Sequence, residues 1–292
     1  MKYKYDASII GGDLRQIYLS SIMEQSGFKI IVYGLNGEIP VYNMNYAESL
    51  EHAMESSKTI IAPIPFSKDK FNISSTCITD GSINLSVINF LDNLKSSHYL
   101  IAGNIPNDVK EFCNAKNICF TDLMNNENIA LLNAISTAEG AIAEAISKSV
   151  INLHKSKCLV LGYGRCAKVL SSKLNALGAI VTVSARKKEA LTEAFTNCCD
   201  CMGLDILDIH DFDFIFNTIP SLILNMKLLS KVSCDSTIID IASYPGGLDY
   251  EYSKEHKINA HLCLGIPGKT APKSSALILA ETIVPILKER SD

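Results

Sequence analysis

The chain lacks several features that would assign it to a class at once. No window of its 292 residues holds an uninterrupted apolar run of membrane length, although 47% of them are hydrophobic. It also lacks a basic excess. Its 27 Lys and Arg stand against 31 Asp and Glu, a formal net charge of −4, which disfavours nonspecific binding to a polyanion. The stretch Met1 to Asp6 lacks the apolar core and cleavage site of a signal peptide and runs straight into a strand pattern. The expectation is a cytoplasmic protein with no nucleic-acid and no membrane partner. A second pair of metal-spaced cysteines is missing too. Cys198-Cys199-Asp200-Cys201, with His210 nearby, invites a zinc reading, but structural zinc sites use two separated ligand pairs. We expect no metal, and read the ten cysteines as reduced thiols.

What is present centres on residues 158–170. An apolar strand pattern, Leu159 to Leu161, meets Gly162-Tyr163-Gly164 and then turns helical through Val169, Leu170, Leu174 and Leu177. Gly178 stops that helix, and Ala179 to Val183 reads as the next strand. This is the β-α-β order that seats a dinucleotide pyrophosphate on a helix N-terminus. Gly162 permits the sharp turn, Gly164 leaves room for a phosphate, and Ala167 stands where the third glycine can be Ala. Tyr163, Arg165 and Cys166 share the turn, and the helix N-terminus offers Cys166 a lowered thiol pKa, although packing is its simpler role.

The end of the second strand bears on cofactor choice. An NAD site places Asp or Glu there for the ribose 2′-OH. This chain has Ser184-Ala185-Arg186-Lys187-Lys188, with no carboxylate before Glu189. A hydroxyl followed by cations suits a 2′-phosphate, with Arg186 as the planar fork, so the expected cofactor is NADP. A solvated basic turn is the plain alternative for Lys187 and Lys188.

The first half carries a second β-α-β start: a strand Ala7 to Ile10, then Gly11-Gly12-Asp13-Leu14-Arg15, a helix stopped by Gly27, and a strand Phe28 to Tyr33. Asp13 is placed to N-cap that helix. Arg15 opposes the dipole in the first turn and would be tolerated if it served an anionic ligand. Strands follow at 59–63, 97–102 and 117–120, and the crevice loops are 12–15, 63–66 and 103–105. The predicted fold is α/β: two doubly wound Rossmann-like domains joined by long helices, the C-terminal helix packing back on the first domain. The boundaries are 1–130 for the substrate-side domain, 131–154 for the connecting helices, 155–270 for the NADP-binding domain and 271–292 for the returning helix. Thr137 to Gly140 reads as an interruption between two connecting helices.

Beyond 210, strands at 212–216, 237–240 and 260–264 end in polar loops where a nicotinamide belongs. Asn217 and Thr218 offer cofactor contacts and Pro220 stiffens their loop. Asp240, Tyr244 and Lys269 are candidate acid–base groups, and Asp13, Arg15, Ser243 and Lys269 candidate substrate-binding residues. The plain alternatives are a turn residue for Asp240 and a solvated charge for Lys269. His98 and His261 sit in strand patterns and read as satisfied structural histidines.

Taken together, Ile10-Gly11-Gly12-Asp13-x-Arg15-Gln16, Thr137 to Ala141, Leu161 to Arg165, Ser243-x-Pro245-Gly246-Gly247 and Gly265 to Pro272 resemble the dipicolinate synthase A-subunit family over nearly the whole chain. Leu14 departs from the polar or small residue common there. The resemblance implies an NADP-linked dehydrogenation of a 4-hydroxy-tetrahydrodipicolinate to dipicolinate in the mother cell of a sporulating bacterium. It also implies a partner, the flavoprotein-like B-subunit of dipicolinate synthase, and it fixes no catalytic base. A small dicarboxylate would need cations, and Arg15 and Lys269 are the candidates. A homo-oligomer is left open. Two other readings stand beside this one: a two-domain NADP dehydrogenase of the shikimate or 2-hydroxy-acid kind, and a non-catalytic nucleotide-binding subunit. Against the 2-hydroxy-acid class, the cofactor domain lacks a convincing Arg, Glu and His set.

Overall fold

Short runs of β-branched and apolar residues alternating with amphipathic helices build two parallel sheets in the computed structural model, which describes residues 3–35, 44–76 and 83–291. The chain divides into two units, 1–130 with 271–292, and 131–270. Met1 and Lys2, at the head of the N-terminal pattern, and Cys77 lie outside the described residues.

Unit 1 runs β1 (Ala7–Ile10), α1 (Leu14–Gln25), β2 (Ile30–Tyr33), β3 (Asn45–Tyr46), α2 (Leu50–Glu55), β4 (Thr59–Ile61), α3 (Val87–Asn93), β5 (Tyr99–Ala102), α4 (Asn107–Ala115) and β6 (Cys119–Asp122). Its strand order is β3-β2-β1-β4-β5-β6, all parallel. A parallel sheet is covered on both faces, so its strands are apolar throughout rather than alternating. Ile10, Ile60 and Leu100 point to one core, and Ile9, Ile61 and Ile101 to the other.

The helix α5 (Glu127–Lys148) crosses the boundary at 130 and opens unit 2, which continues with β7 (Lys157–Leu161), α6 (Arg165–Ala176), β8 (Ile180–Ala185), α7 (Lys188–Thr196), β9 (Asp200–Gly203), β10 (Phe214–Asn217), α8 (Met226–Leu229), β11 (Thr237–Asp240), α9 (Tyr250–Glu255), β12 (Ala260–Leu262) and α10 (Ile266–Thr270). The order β12-β11-β10-β7-β8-β9 repeats that of unit 1. In both sheets the direction of winding reverses beside the first strand, between β1 and β4 and between β7 and β10, which is where doubly wound folds open a crevice. The final helix, α11 (Pro272–Ser291), belongs to unit 1. Ala276, Leu279, Ala280, Ile283 and Leu287 bury there beside Ile17 and Leu19 of α1, and the Arg290 guanidinium lies 3.7 Å over the Tyr99 ring. The returning helix is as expected.

Two expectations need correction. Thr137 to Gly140 does not interrupt the connecting segment, because α5 is one helix of 22 residues. Gly140 is a contact point: a Cβ there would strike Ile266 Cγ2 and come within 2.7 Å of Thr270 Oγ1 on α10. Helix α5 is also long and apolar enough to cross a membrane by length and composition, and 56% of that window is buried in protein, as befits a core helix. The stretch Gly265 to Pro272, read as a loop, contains the short helix α10.

Replacing Gly140 with Ala tests this packing. In an exposed helix the change would stabilise by about 1 kcal/mol. Here overpacking, worth about 1–3 kcal/mol, should prevail and lower the urea midpoint. A midpoint equal to or above that of the unmodified protein would contradict the close approach.

Candidate dinucleotide-binding site

The Gly162 turn lies at the switch point of unit 2. Strand β7 is buried over four of its five residues, and the chain leaves it at Gly162 with φ +94°. That conformation favours glycine. Space demands it as well, since a Cβ on Gly162 would strike Thr218 Oγ1 and come within 3.1 Å of Ile219 Cγ1. The Gly162 N–H donates to Ser184 O at 2.8 Å, tying the turn to β8. Gly164 is the N-cap of α6, and a Cβ built there meets nothing within 4 Å. A helix N-terminus whose cap has no side chain and faces open space suits an anion. Ala167 is fully buried and brings α6 close to the sheet.

A groove of about 530 Å³ opens from this turn. It is lined by Gly162 and Tyr163 of the turn, by Ala185 at the end of β8 with Arg186, Lys187 and Ala190 after it, and by Ile219 after β10. Arg186 and Lys187 are exposed. These residues fit a dinucleotide: a glycine turn at a helix N-terminus, an apolar wall at Ile219, and two cations past the second strand.

The remaining expected cofactor contacts are placed differently. Arg165 opens α6, exposed beside the turn. Cys166 is half-buried, and burial pushes its thiol up despite a bond to Thr137, so no lowered pKa arises. Ser184 is fully buried inside β8, and its hydroxyl has no partner among the described residues. It therefore does not face the groove. Asn217 is fully buried as well; its amide donates to Ile219 O at 3.0 Å and to Asp240 Oδ1 at 2.8 Å, and its own oxygen accepts from Ile219 N. The Thr218 hydroxyl donates to Leu161 O at 2.7 Å. Both side chains are committed to shaping the loop. Pro220 is exposed just beyond it.

The acid–base candidates separate in the same way. Asp240, at the end of β11, is fully buried and accepts from Asn217 Nδ2, Ala242 N, Gly247 N and the Tyr250 hydroxyl at 2.6–2.9 Å. A carboxylate so enclosed is a loop anchor and no proton shuttle, which corrects its catalytic assignment. Burial, and then the bond to Asp240, pushes the Tyr250 phenol up. Tyr244 is 75% exposed, and Ser243 beside it accepts from Gly246 N. Lys269 is exposed at the end of α10.

Unit 1 has the same turn in a closed form. The Gly11 N–H donates to Tyr33 O at 2.8 Å, as Gly162 does to Ser184. There the likeness ends, for Gly12 N donates to Ser74 O and Thr76 N to Gly12 O, laying a strap across the turn. Asp13 caps α1 with Gln16 in a capping box. Arg15 is 6% exposed; its fork donates to both Asp13 oxygens at 2.8–2.9 Å and to Ile64 O at 2.5 Å. Asp13 therefore explains an Arg in the first turn without an anionic ligand. Arg15 is a clamp between two loops and offers no free cation, which corrects its substrate-binding assignment and that of Asp13.

Sequence reasoning missed Ala185, Ala190, Ile219 and Tyr250 as contributors. Ala190 has no chemistry to mark it, although it lies in the first turn after Lys187. Tyr250 looks like any helix residue until Asp240 is placed.

A doubly wound unit with a Gly-Tyr-Gly turn at its switch point has a Rossmann-like, dehydrogenase-like fold. A family model described as the N-terminal domain of the dipicolinate synthase A-subunit matches residues 6–124. The dipicolinate synthase A-subunit of Bacillus subtilis (strain 168) is 32% identical over 292 residues, covering 97% of this chain and 95% of that protein. The chain thus belongs to the dipicolinate synthase A-subunit family. The crystal structure of the dipicolinate synthase A-subunit from Bacillus halodurans is similar with a TM-score of 0.84 at 26% identity, covering 98% of this chain and 99% of that one. An L-alanine dehydrogenase structure shares the fold at 12% identity, with a TM-score of 0.62 over 97% of this chain and 90% of its own.

The two strand histidines are structural. His98 is 3% exposed and its Nδ1 accepts from Lys95 N at 3.0 Å, while burial, with Lys95 nearby, lowers its pKa from 6.5. His261 is half-buried, bonded to Asn259 Oδ1, and also lowered by burial. A histidine with a lowered folded pKa resists protonation in the folded chain. Its stability contribution is whole above the unfolded value and is lost as pH falls through the folded one. The urea midpoint should therefore drop between about pH 7 and pH 5, and less so in His98→Gln. An equal drop in both proteins would remove His98 from this account.

Proposed function

We propose that the chain is an NADP-dependent oxidoreductase that forms dipicolinate from 4-hydroxy-tetrahydrodipicolinate. In this reading it is the A-subunit paired with a flavoprotein-like B-subunit in the cytoplasm of a sporulating mother cell. The observation that carries the reading is the whole-chain relation to the Bacillus subtilis dipicolinate synthase A-subunit, at 32% identity over 97% of this chain. The groove at Gly162, with Arg186 and Lys187 on its wall and no carboxylate at the end of β8, supports NADP over NAD.

When bound, NADP+ supplies the hydride acceptor. The protein contributes mainly position. The N–H groups opening α6 would hold the pyrophosphate and Arg186 the 2′-phosphate. Ile219 would form the apolar wall. Lys269 is the cation we assign to a substrate carboxylate, and Ser243 is assigned a neutral substrate contact. Forming the aromatic ring supplies driving force, so elimination of water, transfer of one hydride to NADP+ and release of one proton to solvent need no strongly activated base. Tyr244, exposed on the 241–247 loop, is the acid–base candidate that remains with Lys269. The burial of Asp240 favours a second reading, a nucleotide-binding subunit whose partner does the chemistry.

One set of measurements separates the two. Reduced-nicotinamide absorbance is followed with freshly made 4-hydroxy-tetrahydrodipicolinate, with and without the B-subunit. Turnover of NADP+ by this chain alone is expected. Activity that requires the B-subunit to supply the oxidation would favour the second reading, and no turnover in either condition would contradict the assignment. In parallel, Arg186→Ala removes a charged hydrogen bond worth about 1.5–3 kcal/mol. It should weaken NADP+ binding about ten- to hundredfold and leave NAD+ binding nearly unchanged. Tighter binding of NAD+ than of NADP+ by the unmodified protein would overturn the cofactor choice.

A further inference from the structure

A buried chain of hydrogen bonds runs from Tyr250 to the wall of the groove. The Tyr250 hydroxyl donates to Asp240 Oδ2 at 2.6 Å, and Asp240 Oδ1 accepts from Asn217 Nδ2 at 2.8 Å. Asn217 in turn grips Ile219 at both backbone polar atoms, donating to its carbonyl at 3.0 Å and accepting from its N–H at 3.1 Å. Ile219 lines the groove and lies against the Gly162 turn; Tyr250 does not line it. Three elements are thus tied together: the first residue of α9, the end of β11 and the loop after β10.

The chemistry of the tie is unusual for a mere packing contact. A fully buried carboxylate is costly unless every lone pair is satisfied. The partners of Asp240 are all neutral: two backbone N–H groups, one amide and one phenol. Charge-assisted bonds to neutral donors are short and directional, so they fix geometry more tightly than apolar packing would. The backbone is shaped to admit them. A Cβ on Gly246 would come within 2.6 Å of the Tyr250 hydroxyl and 2.7 Å of Asp240 Oδ2, and one on Gly247 would strike Asn217 Nδ2. Asp240 and Asn217 are both completely shielded from solvent, so water does not substitute for a lost donor without rearrangement.

We propose that Tyr250 is a positioning residue for the dinucleotide groove, acting through Asp240 and Asn217 to hold Ile219 against the bound nucleotide. This rests on the reading that the groove binds a dinucleotide. Tyr250 touches no ligand in this arrangement. Its removal leaves Asp240 one donor short, and the loop after β10 relaxes away from the Gly162 turn.

The test is equilibrium binding of NADP+ to the full chain, read calorimetrically well below each variant's unfolding midpoint. Tyr250→Phe deletes one hydroxyl and should raise the Kd about three- to tenfold. If the effect passes through Ile219, then in an Ile219→Ala background the same change should alter the Kd by less than about twofold. A general structural loss would act equally in both backgrounds, and that result would overturn the proposal, as would an unchanged Kd in the single variant. Should Tyr250→Phe fail to fold, Asn217→Ser breaks the same relay one bond further on, with the same expected dependence on Ile219. If the unmodified protein binds neither NADP+ nor NAD+, the groove reading fails and this proposal falls with it. If it binds and the variants do not separate, the positioning role alone is lost.

Discussion

Two loops at the ends of neighbouring strands must touch for this protein to have a groove at all, and they touch at Gly162 and Thr218. A side chain on residue 162 would collide with the threonine hydroxyl, which is itself bonded to Leu161 O. That contact closes the base of the crevice between β7 and β10. Everything that defines the site is referred to it: the helix N-terminus at Gly164, the wall at Ile219, and the cations at Arg186 and Lys187 across β8. The buried Asp240 holds the far side of the same loop, so the rim is fixed from below by polar bonds and from within by the absence of a Cβ.

Unit 1 shows what the same topology does without that arrangement. Its strand order and its Gly11 turn match those of unit 2, yet its own chain fills the seat. The Ser74 carbonyl occupies the Gly12 N–H, and the Asp13 carboxylate caps the helix where an external anion would sit. Arg15 then balances Asp13 instead of awaiting a ligand. Two copies of one winding pattern thus differ because a strap and an acidic cap close one of them.

Much of the fold was legible because parallel strands advertise themselves. Ile30 to Tyr33, Leu159 to Leu161 and Thr237 to Ile239 are buried on both faces, so their apolar runs stand out. Two of the four edge strands do not: Asn45–Tyr46 is exposed and Asp200–Gly203 holds a carboxylate, a thiol, a thioether and a glycine, so neither carries the pattern. Gly140 misled for a related reason. Glycine in a sequence signals a break, whereas here it marks the place where α10 approaches α5. For the site, the glycine turn and the basic pair could be read directly because their chemistry is local. The fates of Ser184, Asn217, Asp240 and Arg15 could not. Whether a polar side chain faces a groove or a buried partner depends on residues distant in the chain, such as Ile64 for Arg15 and Asp240 for Asn217.

The central claim is that the Gly162–Gly164 turn is where unit 2 holds a dinucleotide. The most direct measurement is a titration of isotopically labelled protein with NADP+, following backbone amide resonances by NMR. The account predicts that the largest shifts fall on Tyr163, Gly164, Arg165 and Arg186, with the Gly11-Gly12 amides of unit 1 unmoved. Shifts centred on Gly11 and Gly12, with the Gly162 turn silent, would contradict it.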